Sequence, residues 1–340
     1  MTNTRVQVSV CIANYNGMEV IDDCIRSIQD QQGDIHVEIL VHDDASTDGS
    51  VAHIQERYPQ VILIVSETNA GFCIANNRMA AQAKGQYLLL LNNDAALFTD
   101  ALQSLLVEAG QIDKPAILTL PQYDATTGVL VDRGCLLDPF FNPVPNLDPN
   151  RTDVAMVIGA CLWVPKALWD ELGGFPEWFG SIAEDMYLCC RARLAGYAVR
   201  VPAVSGYSHW QGMSFGGGKI VDRQLSSTFR RRALSERNKT FVLVITCPQP
   251  ILLLLLPIHV LLLLSEGILL SILQQRTKYL SYVYLPICFA LFRNGGILKK
   301  ERHRAMRQMQ TSKSHFFAAF DTLPYKLSML LRYGLPNLKD

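Results

Sequence analysis

Short apolar runs alternate with amphipathic stretches through the first hundred residues of the chain. Residues 6–12, 37–41, 61–65 and 87–91 have the length and the apolar content of strands in a buried sheet. The stretches between them have helical periodicity and carry turn residues at their ends. This repeated order of strand and helix predicts an α/β fold with a doubly wound, mostly parallel sheet and right-handed crossovers.

The second and fourth strands of this pattern end in carboxylates. Asp43 and Asp44 follow the second strand, and Asp94 follows the fourth. Because ligands bind at the carboxyl ends of the strands in open α/β sheets, these carboxylates are placed for chemistry. Ser46 or Thr47 can cap the next helix, but a cap does not require two adjacent carboxylates, which repel each other unless a polar or cationic group binds. The pattern therefore predicts a polar binding site at this edge of the sheet.

The first strand-to-helix turn argues against a dinucleotide-binding domain with the same strand order. The turn reads Asn14-Tyr15-Asn16-Gly17 and lacks the G-x-G-x-x-G spacing that lets the backbone approach a pyrophosphate. We therefore expect no nicotinamide cofactor.

Charge divides the chain into an acidic front and a basic back. Residues 1–218 contain 12 Lys and Arg against 25 Asp and Glu, a net charge of −13, whereas residues 219–340 contain 19 against 6, a net charge of +13. The chain is 49% hydrophobic, with a mean hydropathy of +0.14, which is high for a soluble protein. Acidic clefts suit metal ions, and basic groups beside apolar helices suit an anionic membrane surface.

The back of the chain contains long uncharged runs. Residues 224–239 read as a basic helix, residues 241–264 are uncharged and long enough to span a bilayer, and residues 279–292 form a shorter uncharged run. Three interpretations stay open: a kinked transmembrane hairpin, helices lying in the membrane interface, and a buried helix pair of a soluble domain.

Basic clusters flank these uncharged runs at residues 230–239 and 298–307. If both clusters are cytoplasmic, the chain crosses the membrane an even number of times or not at all. The tail at 315–335 has the pattern of an amphipathic surface helix that is broken near Pro324.

Two features indicate the cellular compartment. The nine cysteines are scattered without metal-type spacing, which predicts reduced, mostly buried thiols in the cytosol. The first residues run directly into a strand without an apolar signal-peptide segment, so we expect the front domain in the cytoplasm.

Four motifs in order along the first 94 residues resemble those of a known family. They are Ala13-Asn14-Tyr15-Asn16-Gly17, the run from His42 to Ser50, Asn69-Ala70-Gly71-Phe72 with Ala75-Asn76-Asn77, and Leu90-Leu91-Asn92-Asn93-Asp94. Together they resemble the nucleotide-sugar domain of family 2 inverting glycosyltransferases, and more narrowly the rhamnosyltransferase-like branch that builds bacterial surface polysaccharides. The resemblance implies a GT-A fold.

The resemblance implies that a nucleotide-sugar donor binds at the carboxyl ends of these strands. Asp43 or Asp44 would hold the base or the ribose, and Gly71 would permit close approach of the backbone. The other substrate-binding residues that the resemblance implies are Asn14, Asn16, Asn69, Asn76 and Asn93.

The resemblance also implies a divalent metal, Mg²⁺ or Mn²⁺, at Asp94 and His209. Asp94 stands where the family has its D-x-D-type sequence, although the first position here is Asn92. One carboxylate together with diphosphate oxygens suits these hard cations. The ion would stabilise charge on the departing nucleoside diphosphate.

An acidic pair, Glu184-Asp185, opens a predicted helix after a Gly-Gly-Phe turn that also resembles the family. The resemblance implies that Asp185 is the general base for the acceptor hydroxyl and that Glu184 supports it or binds the acceptor. The alternative is that the pair only stabilises the helix dipole, by about 0.3–1 kcal/mol. Tyr187 replaces a second Asp of the family pattern, a departure that puts the acceptor contacts in doubt.

Two further segments are candidates for substrate contacts. Residues 123–151 are rich in Pro, Asp and Asn and read as an irregular excursion, which could set acceptor specificity or be merely decorative. The Gly-rich residues 212–219 could close over the diphosphate or be a plain linker.

These expectations combine into a GT-A glycosyltransferase with a membrane-associating region. Residues 1–222 are predicted to form the GT-A domain, with a nucleotide-sugar half at 1–98 and an acceptor half at 99–222, and residues 223–340 to form the membrane-associating region. We expect transfer with inversion to a lipid-linked glycan at the cytoplasmic face of the cell membrane, for cell-surface polysaccharide synthesis. Polysaccharide-assembly proteins are candidate partners, and no nucleic acid is expected.

Two rival functions stay open. The incomplete metal sequence and Tyr187 are compatible with a non-catalytic nucleotide-sugar-binding scaffold of a polysaccharide assembly complex. A nucleotidyltransferase is less favoured, because the chain lacks the basic, Gly-rich phosphate loop expected for that reaction.

Overall fold

The computed structural model describes residues 6–210, 219–221 and 224–339, which form two compact units. The first unit contains the described residues of 1–135, 145–192 and 197–214, and the second contains those of 136–144, 193–196 and 215–340. Most of the Gly-rich segment predicted to close over the diphosphate, residues 212–218, lies outside the described residues.

A seven-stranded sheet forms the centre of the first unit. The strands up to residue 209 are β1 (Val8–Asn14), β2 (Val37–Asp43), β3 (Ile62–Val65), β4 (Tyr87–Asn92), β5 (Ala95–Leu97), β6 (Ala116–Leu118), β7 (Gln122–Asp124), β8 (Leu130–Asp132), β9 (Cys135–Leu137), β10 (Pro143–Pro145), β11 (Cys161–Pro165), β12 (Ala198–Arg200) and β13 (Tyr207–His209). The order is β12-β6-β11-β4-β1-β2-β3, and β11 runs antiparallel to both of its neighbours. The predicted α/β fold with a mostly parallel sheet is confirmed.

Helices connect the strands and cover the sheet. They are α1 (Ile21–Gln29), α2 (Ser50–Arg57), α3 (Phe72–Gln82), α4 (Ala101–Gln111), α5 (Lys166–Leu172) and α6 (Glu184–Leu194). In α1, the buried Ile21, Ile25 and Ile28 recur at helical spacing and pack into the same core as β4, whose four leucines are at most 2% exposed. Burial of β4 on both faces fixes its carboxyl end beside those of β1 and, through β1, of β2.

A second, four-stranded sheet with the order β5-β13-β7-β8 carries His209. Strand β13 pairs antiparallel with β5, and this register places His209 opposite Ala95. The backbone N–H of Trp210 donates to the carbonyl of Asp94 at 3.0 Å. Residues that are 115 positions apart in the sequence are therefore held side by side.

The second unit is mainly helical. Its longer elements are α7 (Phe229–Thr246), α8 (Ile251–Leu273), α9 (Leu285–Arg293), α10 (Gly295–Arg307), α11 (Lys313–Phe316) and α12 (Tyr325–Tyr333), with strands β14 (Lys219–Val221), β15 (Gln224–Thr228) and β16 (Asn337–Lys339). A π-helical segment, Tyr279–Tyr284, precedes α9 and packs with α7 and α8 around Phe229, Leu263 and Leu270.

The segment Leu136–Val144 from the middle of the chain belongs to this second unit. Lys239 donates to Asn142 at 2.5 Å, and the backbone N–H of Tyr325 donates to the buried Asp138 at 2.7 Å. Phe141 packs edge-on against Phe320. The predicted functional division at residue 222 stays a prediction, although the C-terminal unit recruits this earlier segment.

Two local expectations differ from the structure. Residues 224–228 are a strand, and α7 begins after Thr228, whose hydroxyl accepts from the backbone of Arg231. In the apolar run at 155–165, the strand covers only Cys161–Pro165. The helix expected to have a Ser46 or Thr47 cap begins at Ser50, after a left-handed Gly49.

The uncharged run at 241–264 is divided between α7 and α8 and is not one continuous helix. Two prolines, Pro248 and Pro250, lack the N–H that a helix interior requires, and the chain turns between α7 and α8 at this point. Among the described residues, α8 is the one helix that is long and apolar enough to span a bilayer, a weak indication taken by itself.

Candidate active site

The side chain of Asn14 joins the carboxyl ends of three parallel strands. Its amide nitrogen donates to Asp43 at 2.7 Å, and its amide oxygen accepts from the amide of Asn93 at 2.9 Å. Asn14 is 1% exposed, so both groups are desolvated and need these partners. The predicted residues Asn14, Asp43 and Asn93 thus form one buried junction.

The two adjacent carboxylates hold the surrounding loops through backbone N–H groups. Asp43 accepts from the N–H of Ser46 at 2.8 Å. The two oxygens of Asp44 accept from the N–H groups of Ala70 and Gly71, at 2.6 and 2.8 Å. Hydrogen bonds to an ionised carboxylate stabilise its charge, which explains how both carboxylates tolerate burial. Direct contact of either carboxylate with a nucleotide stays a prediction.

The other predicted donor residues differ in their exposure. Asn16 is exposed, adopts a positive φ of 50° and binds the next loop by accepting from the N–H of Thr47 at 2.8 Å. Asn69 is exposed. Asn76 is buried and donates to the carbonyl of Phe72 in its own helix at 2.9 Å, so in this state its amide is turned into α3. Gly71 has φ of +91°, a conformation that side chains rarely adopt.

Asp94 and His209 form a buried pair at the end of β4. The Nε2 atom of His209 lies 3.0 Å from Oδ1 of Asp94 and 3.4 Å from the amide nitrogen of Asn92. Asp94 is 3% exposed and His209 is 8% exposed. The other ring nitrogen of His209, Nδ1, is buried and has no hydrogen-bond partner among the described residues.

The Asp94–His209 pair fits a divalent cation that is completed by other ligands. A carboxylate oxygen is a common donor to Mg²⁺ and Mn²⁺, whereas an imidazole nitrogen suits transition-metal ions such as Mn²⁺ better than Mg²⁺. Both ions take further ligands from substrate phosphates and water. The described residues contain no group of three or more His, Cys, Asp or Glu side chains suited to a metal ion. The pair could hold an ion only together with substrate oxygens.

The predicted base, Asp185, lies in the first turn of α6 beside Gly159, which is in the turn that precedes β11. Its Oδ2 atom accepts from the backbone N–H of Gly159 at 2.9 Å, and the side chain remains half-buried. Glu184 is 5% exposed. The two preceding residues, Ile182 and Ala183, have φ of 72° and 66°, which is costly for side chains and most unusual for a β-branched residue.

Several contacts hold the acidic pair beside the donor half of the site. The backbone N–H of Asn92 donates to the carbonyl of Ala160, at 3.0 Å, and that of Cys73 donates to the carbonyl of Gly180, at 3.2 Å. Burial raises the pKa of the Cys73 thiol, and the nearby Glu184 and Asp185 carboxylates raise this pKa further. The start of α3, the end of β4 and the start of α6 therefore lie close together.

Comparison with known proteins identifies a domain that contains the donor-side residues of this site. Residues 9–147 match the family described as "Glycosyl transferase family 2". The match covers 139 of the 340 residues, so it identifies a family 2 domain in this part of the chain. The family prediction is confirmed, and the matched residues include the motifs at Asn14, Asp43, Gly71 and Asp94.

Two curated relatives carry names from surface-polysaccharide synthesis. The "Putative teichuronic acid biosynthesis glycosyltransferase TuaG" of Bacillus subtilis is 35% identical over 31% of this chain and 43% of the relative. The "N-acetylglucosaminyl-diphospho-decaprenol L-rhamnosyltransferase" of Mycobacterium tuberculosis is 26% identical over 51% of this chain and 66% of the relative. The chain thus spans less than two thirds of the length of either relative.

Solved structures share the fold of the family 2 domain at low sequence identity. GalNAc-T7 "with UDP, GalNAc and Mn2+" has a TM-score of 0.61 at 16% identity and covers 99% of this chain and 59% of its own. S. aureus TarS 1-349 "in complex with UDP-GlcNAc" has a TM-score of 0.53 at 16% identity and covers 92% of both chains. These likenesses support the GT-A fold assignment.

Sequence reasoning missed two cationic or titratable groups in the family 2 domain. Arg78 of α3 is exposed, and its Nη1 atom lies 3.3 Å from Nε2 of the buried His42 and 3.2 Å from the hydroxyl of Ser66. Burial lowers the pKa of His42. The only sequence signals were the position of His42 before Asp43 and of Arg78 soon after the Asn76-Asn77 motif.

Sequence reasoning also missed the contacts of two further side chains, Asn77 and Tyr187. Asn77 exchanges two hydrogen bonds with the backbone of Phe175, at 2.9 and 3.0 Å, and so ties the Gly-Gly-Phe turn to α3. Tyr187 accepts from Arg191 at 2.7 Å through its hydroxyl, and the Arg191 guanidinium lies over the same ring. The Arg191 side chain therefore pairs with the residue that departs from the family pattern.

Proposed function

We propose that this chain is an inverting glycosyltransferase that moves a sugar from a nucleotide-sugar donor to a hydroxyl of a lipid-linked glycan. The observation that carries this proposal is that three groups meet at one edge of the seven-stranded sheet. They are the Asn14 junction, the Asp94–His209 pair, and Asp185 with its hydrogen bond from Gly159. Each group supplies a different requirement of sugar transfer, namely donor binding, charge stabilisation and proton removal.

The reaction requires one base and no protein nucleophile. Asp185 takes the proton from the acceptor hydroxyl as its oxygen forms a bond to the anomeric carbon. The bond from that carbon to the diphosphate oxygen breaks on the opposite face, and the bonding electrons leave with the nucleoside diphosphate. The N–H of Gly159 orients the Asp185 carboxylate for this role.

The donor lies, in this proposal, along the carboxyl ends of β1, β2 and β4. Asn16 and Asn69 are exposed at the loops that Asp43 and Asp44 organise, so they are available to the nucleotide. Asp94 and His209 would hold Mg²⁺ or Mn²⁺. The bound ion would offset negative charge on the diphosphate. Arg78, exposed near the same loops, adds a cationic group for the donor.

The lipid-linked acceptor is supported by the name of the decaprenol rhamnosyltransferase relative and by the apolar character of α8. We place residues 1–222 as the catalytic region and residues 223–340 as the membrane-associating region, at the cytoplasmic face of the cell membrane. The product would enter cell-surface polysaccharide synthesis, where assembly proteins are candidate partners.

Donor binding and donor hydrolysis test this proposal directly. The purified full chain is assayed against a panel of nucleotide sugars with Mg²⁺, Mn²⁺ or EDTA, with and without lipid extracts, beside Asp94→Ala. We expect one donor to release its nucleoside diphosphate slowly in a metal-dependent reaction, and lipid acceptor to accelerate the release. Absence of binding to every donor would refute the proposed activity.

A non-catalytic donor-binding scaffold is the second candidate. Its supporting observation is that the described residues hold only a two-residue metal pair, with Asn92 in the first position of the D-x-D-type sequence. Donor binding without transfer to any lipid extract would favour the scaffold over the enzyme.

A further inference from the structure

Helix α8 of the C-terminal unit has two opposite faces. Leu252, His259, Leu263, Gly267 and Leu270 are buried and share one side of the helix. The other side exposes large apolar side chains along its whole length, including Leu253, Leu254, Leu261, Leu269 and Ile272. Exposed apolar patches of this extent mark an interaction surface.

Other helices of the same unit also expose large apolar side chains. Phe289 and Phe292 of α9 are 68% and 91% exposed, and Leu331 of α12 is 81% exposed. Two aromatic rings and several leucines facing water need a covering partner with an apolar interior.

Charged and polar side chains bind the buried side of α8 near the middle of the helix. Glu266 accepts from Arg232 and from the hydroxyl of Tyr284, both at 2.7 Å, and pairs with Lys326 at 2.7 Å. His259 lies 2.9 Å from the hydroxyl of Thr240. With a rise of about 1.5 Å per residue, His259 and Glu266 are within about 6 Å of the helix midpoint along its axis.

A second buried acid enlarges this ionic cluster. Glu236 of α7 is fully buried and lies 2.8 Å from Lys326, 3.0 Å from Lys239 and 3.1 Å from Arg232. If α8 crossed the bilayer, the cluster would lie at the level of the hydrocarbon centre, where charged groups are most costly. A helix lying in the plane of the interface avoids this cost, because its charged side faces the protein.

A basic pocket opens at the N-terminal end of α8. Its volume is about 750 Å³, and its lining combines Pro248, Met306 and Met309 with Lys299, Lys300 and Lys313. Arg302 of α10 donates to the carbonyls of Val244 and Cys247, at 2.7 and 2.8 Å, and so holds α10 at the end of α7.

The lysines of this pocket remain available to a ligand. Lys299, Lys300 and Lys313 are exposed, and none of them pairs with a carboxylate in the described part of the chain. Basic side chains beside methionine and proline match a ligand that has an anionic phosphate attached to apolar chains.

We propose that the C-terminal unit is a monotopic anchor that binds the surface of an anionic phospholipid bilayer. Helix α8 lies in the membrane plane with its exposed face among the acyl chains, and the α10 pocket binds lipid phosphate. The combination of an apolar face with an adjacent basic pocket distinguishes a lipid surface from a second copy of this chain, whose own pocket would be equally basic. The anchor rests on the membrane-associating region of the proposed function and specifies how that region meets the bilayer. Vesicle binding tests the anchor without turnover, so its failure can be told apart from a failure of the transfer activity.

Vesicle flotation of the full chain tests the lipid preference. We expect binding to phosphatidylcholine vesicles containing roughly one third phosphatidylglycerol to be about tenfold or more above binding to phosphatidylcholine alone, and to fall as salt rises. The double variant Lys299→Gln/Lys300→Gln should lose most of this difference. The matched control Lys84→Gln/Lys114→Gln removes two exposed lysines of the first unit and should bind as the parent chain does.

Depth measurement separates an in-plane helix from a spanning helix. Leu254, Leu261 and Ile272 lie on the exposed face of α8, and the first and last are about 27 Å apart along the axis. Nitroxide labels on single cysteines at these positions, corrected for labelling of the parent chain, should report equal depths in the vesicles. A deep label at 261 with shallow labels at 254 and 272 would overturn the proposal in favour of a crossing.

Two other results would also overturn the proposal. Equal binding to neutral and anionic vesicles would show that the α10 pocket does not bind lipid phosphate. Light scattering that shows a stable dimer, with the three labels immobilised and no vesicle binding, would assign the apolar face to a second copy of the chain.

Discussion

The carboxylate of Asp185 accepts a hydrogen bond from the backbone N–H of Gly159 at 2.9 Å, so the head of α6 is fixed to the strand region that also meets β4. We expect Asp185→Asn to keep this hydrogen bond and to lose the ability to accept a proton. The kcat for sugar transfer should fall by about 10²–10⁴-fold with little change in donor affinity. Steady-state kinetics and donor titration measure both quantities.

The control for this variant is Asp170→Asn, which removes an exposed carboxylate that pairs with Lys166 on α5. It should leave kcat unchanged, since exposed pairs of this kind contribute little. If Asp185→Asn lowered only the melting temperature and kept its kcat, Asp185 would be a helix-dipole residue and not the base.

Asp94→Asn and His209→Gln should weaken donor binding only when metal is present. The reason is that the two side chains lie 3.0 Å apart and together offer a carboxylate and an imidazole to one ion. Calorimetric titration in Mn²⁺ should show that donor affinity falls about 10–100-fold for either variant. The fall for the double variant should be smaller than the product of the two single falls. Identical donor affinities of parent and variants in Mn²⁺ would exclude these residues as metal ligands.

Gly71→Ala should destabilise the loop that Asp44 organises. The position has φ of +91°, a backbone conformation that a residue with a Cβ rarely adopts, and this strain carries the cost because the added Cβ would make only an ordinary 3.4 Å contact with the carbonyl of Gly180. We expect a cost of about 1–3 kcal/mol and a higher KM for the donor. Gly110→Ala is the control, because a Cβ there meets nothing within 4 Å, and it should be neutral or slightly stabilising. Thermal melts of the two variants that shifted equally would contradict this account.

Asp132 should make stability depend on pH between about pH 4 and pH 7. Burial raises the pKa of this carboxyl from its ordinary value to about 7, while a hydrogen bond from the N–H of Gly134 opposes the rise. Since the pKa is higher in the folded than in the unfolded state, the free energy of unfolding is greatest at low pH and declines as pH rises through this window.

The substitution Asp132→Asn should therefore flatten that decline and raise the melting temperature above pH 7. The variant and the parent should differ least near pH 4, where the parent carboxyl is already protonated. Asp113→Asn, at an exposed position, is the control and should keep the parent profile. An unchanged slope in Asp132→Asn would mean that this carboxyl does not set the pH dependence.

The parallel part of the fold was predictable because each strand is an uninterrupted apolar run with a polar end. The four leucines of β4 show this most clearly, since burial on both faces requires such a run and the following Asn92 and Asp94 mark its end. The same logic failed for residues 224–228, a mostly polar run without a charge that leads directly into the basic helix α7. The pairing of β15 with β16, more than a hundred residues later, determines the conformation there.

The candidate site was predictable as a set of residue types but not as a set of contacts. The sequence places Asp43 and Asp44 at the end of a strand, but it cannot show that backbone N–H groups of Ser46, Ala70 and Gly71 already bind them. The pairing of Asp94 with His209 follows from strand β13, a three-residue strand with no periodic signal of its own. The proposed roles of these residues in donor and acceptor binding stay predictions.

The segment Leu136–Val144 has a consequence for how this chain can vary. Its Asp138 and Asn142 are bound by the backbone of Tyr325 and the side chain of Lys239, residues encoded far downstream. A chimera that joined residues 1–222 to the back region of a relative would lose both bonds at once and leave the buried Asp138 without one of its donors. Replacement of residues 223–340 would therefore require compensating substitutions in the segment Leu136–Val144. We expect the two segments to evolve together.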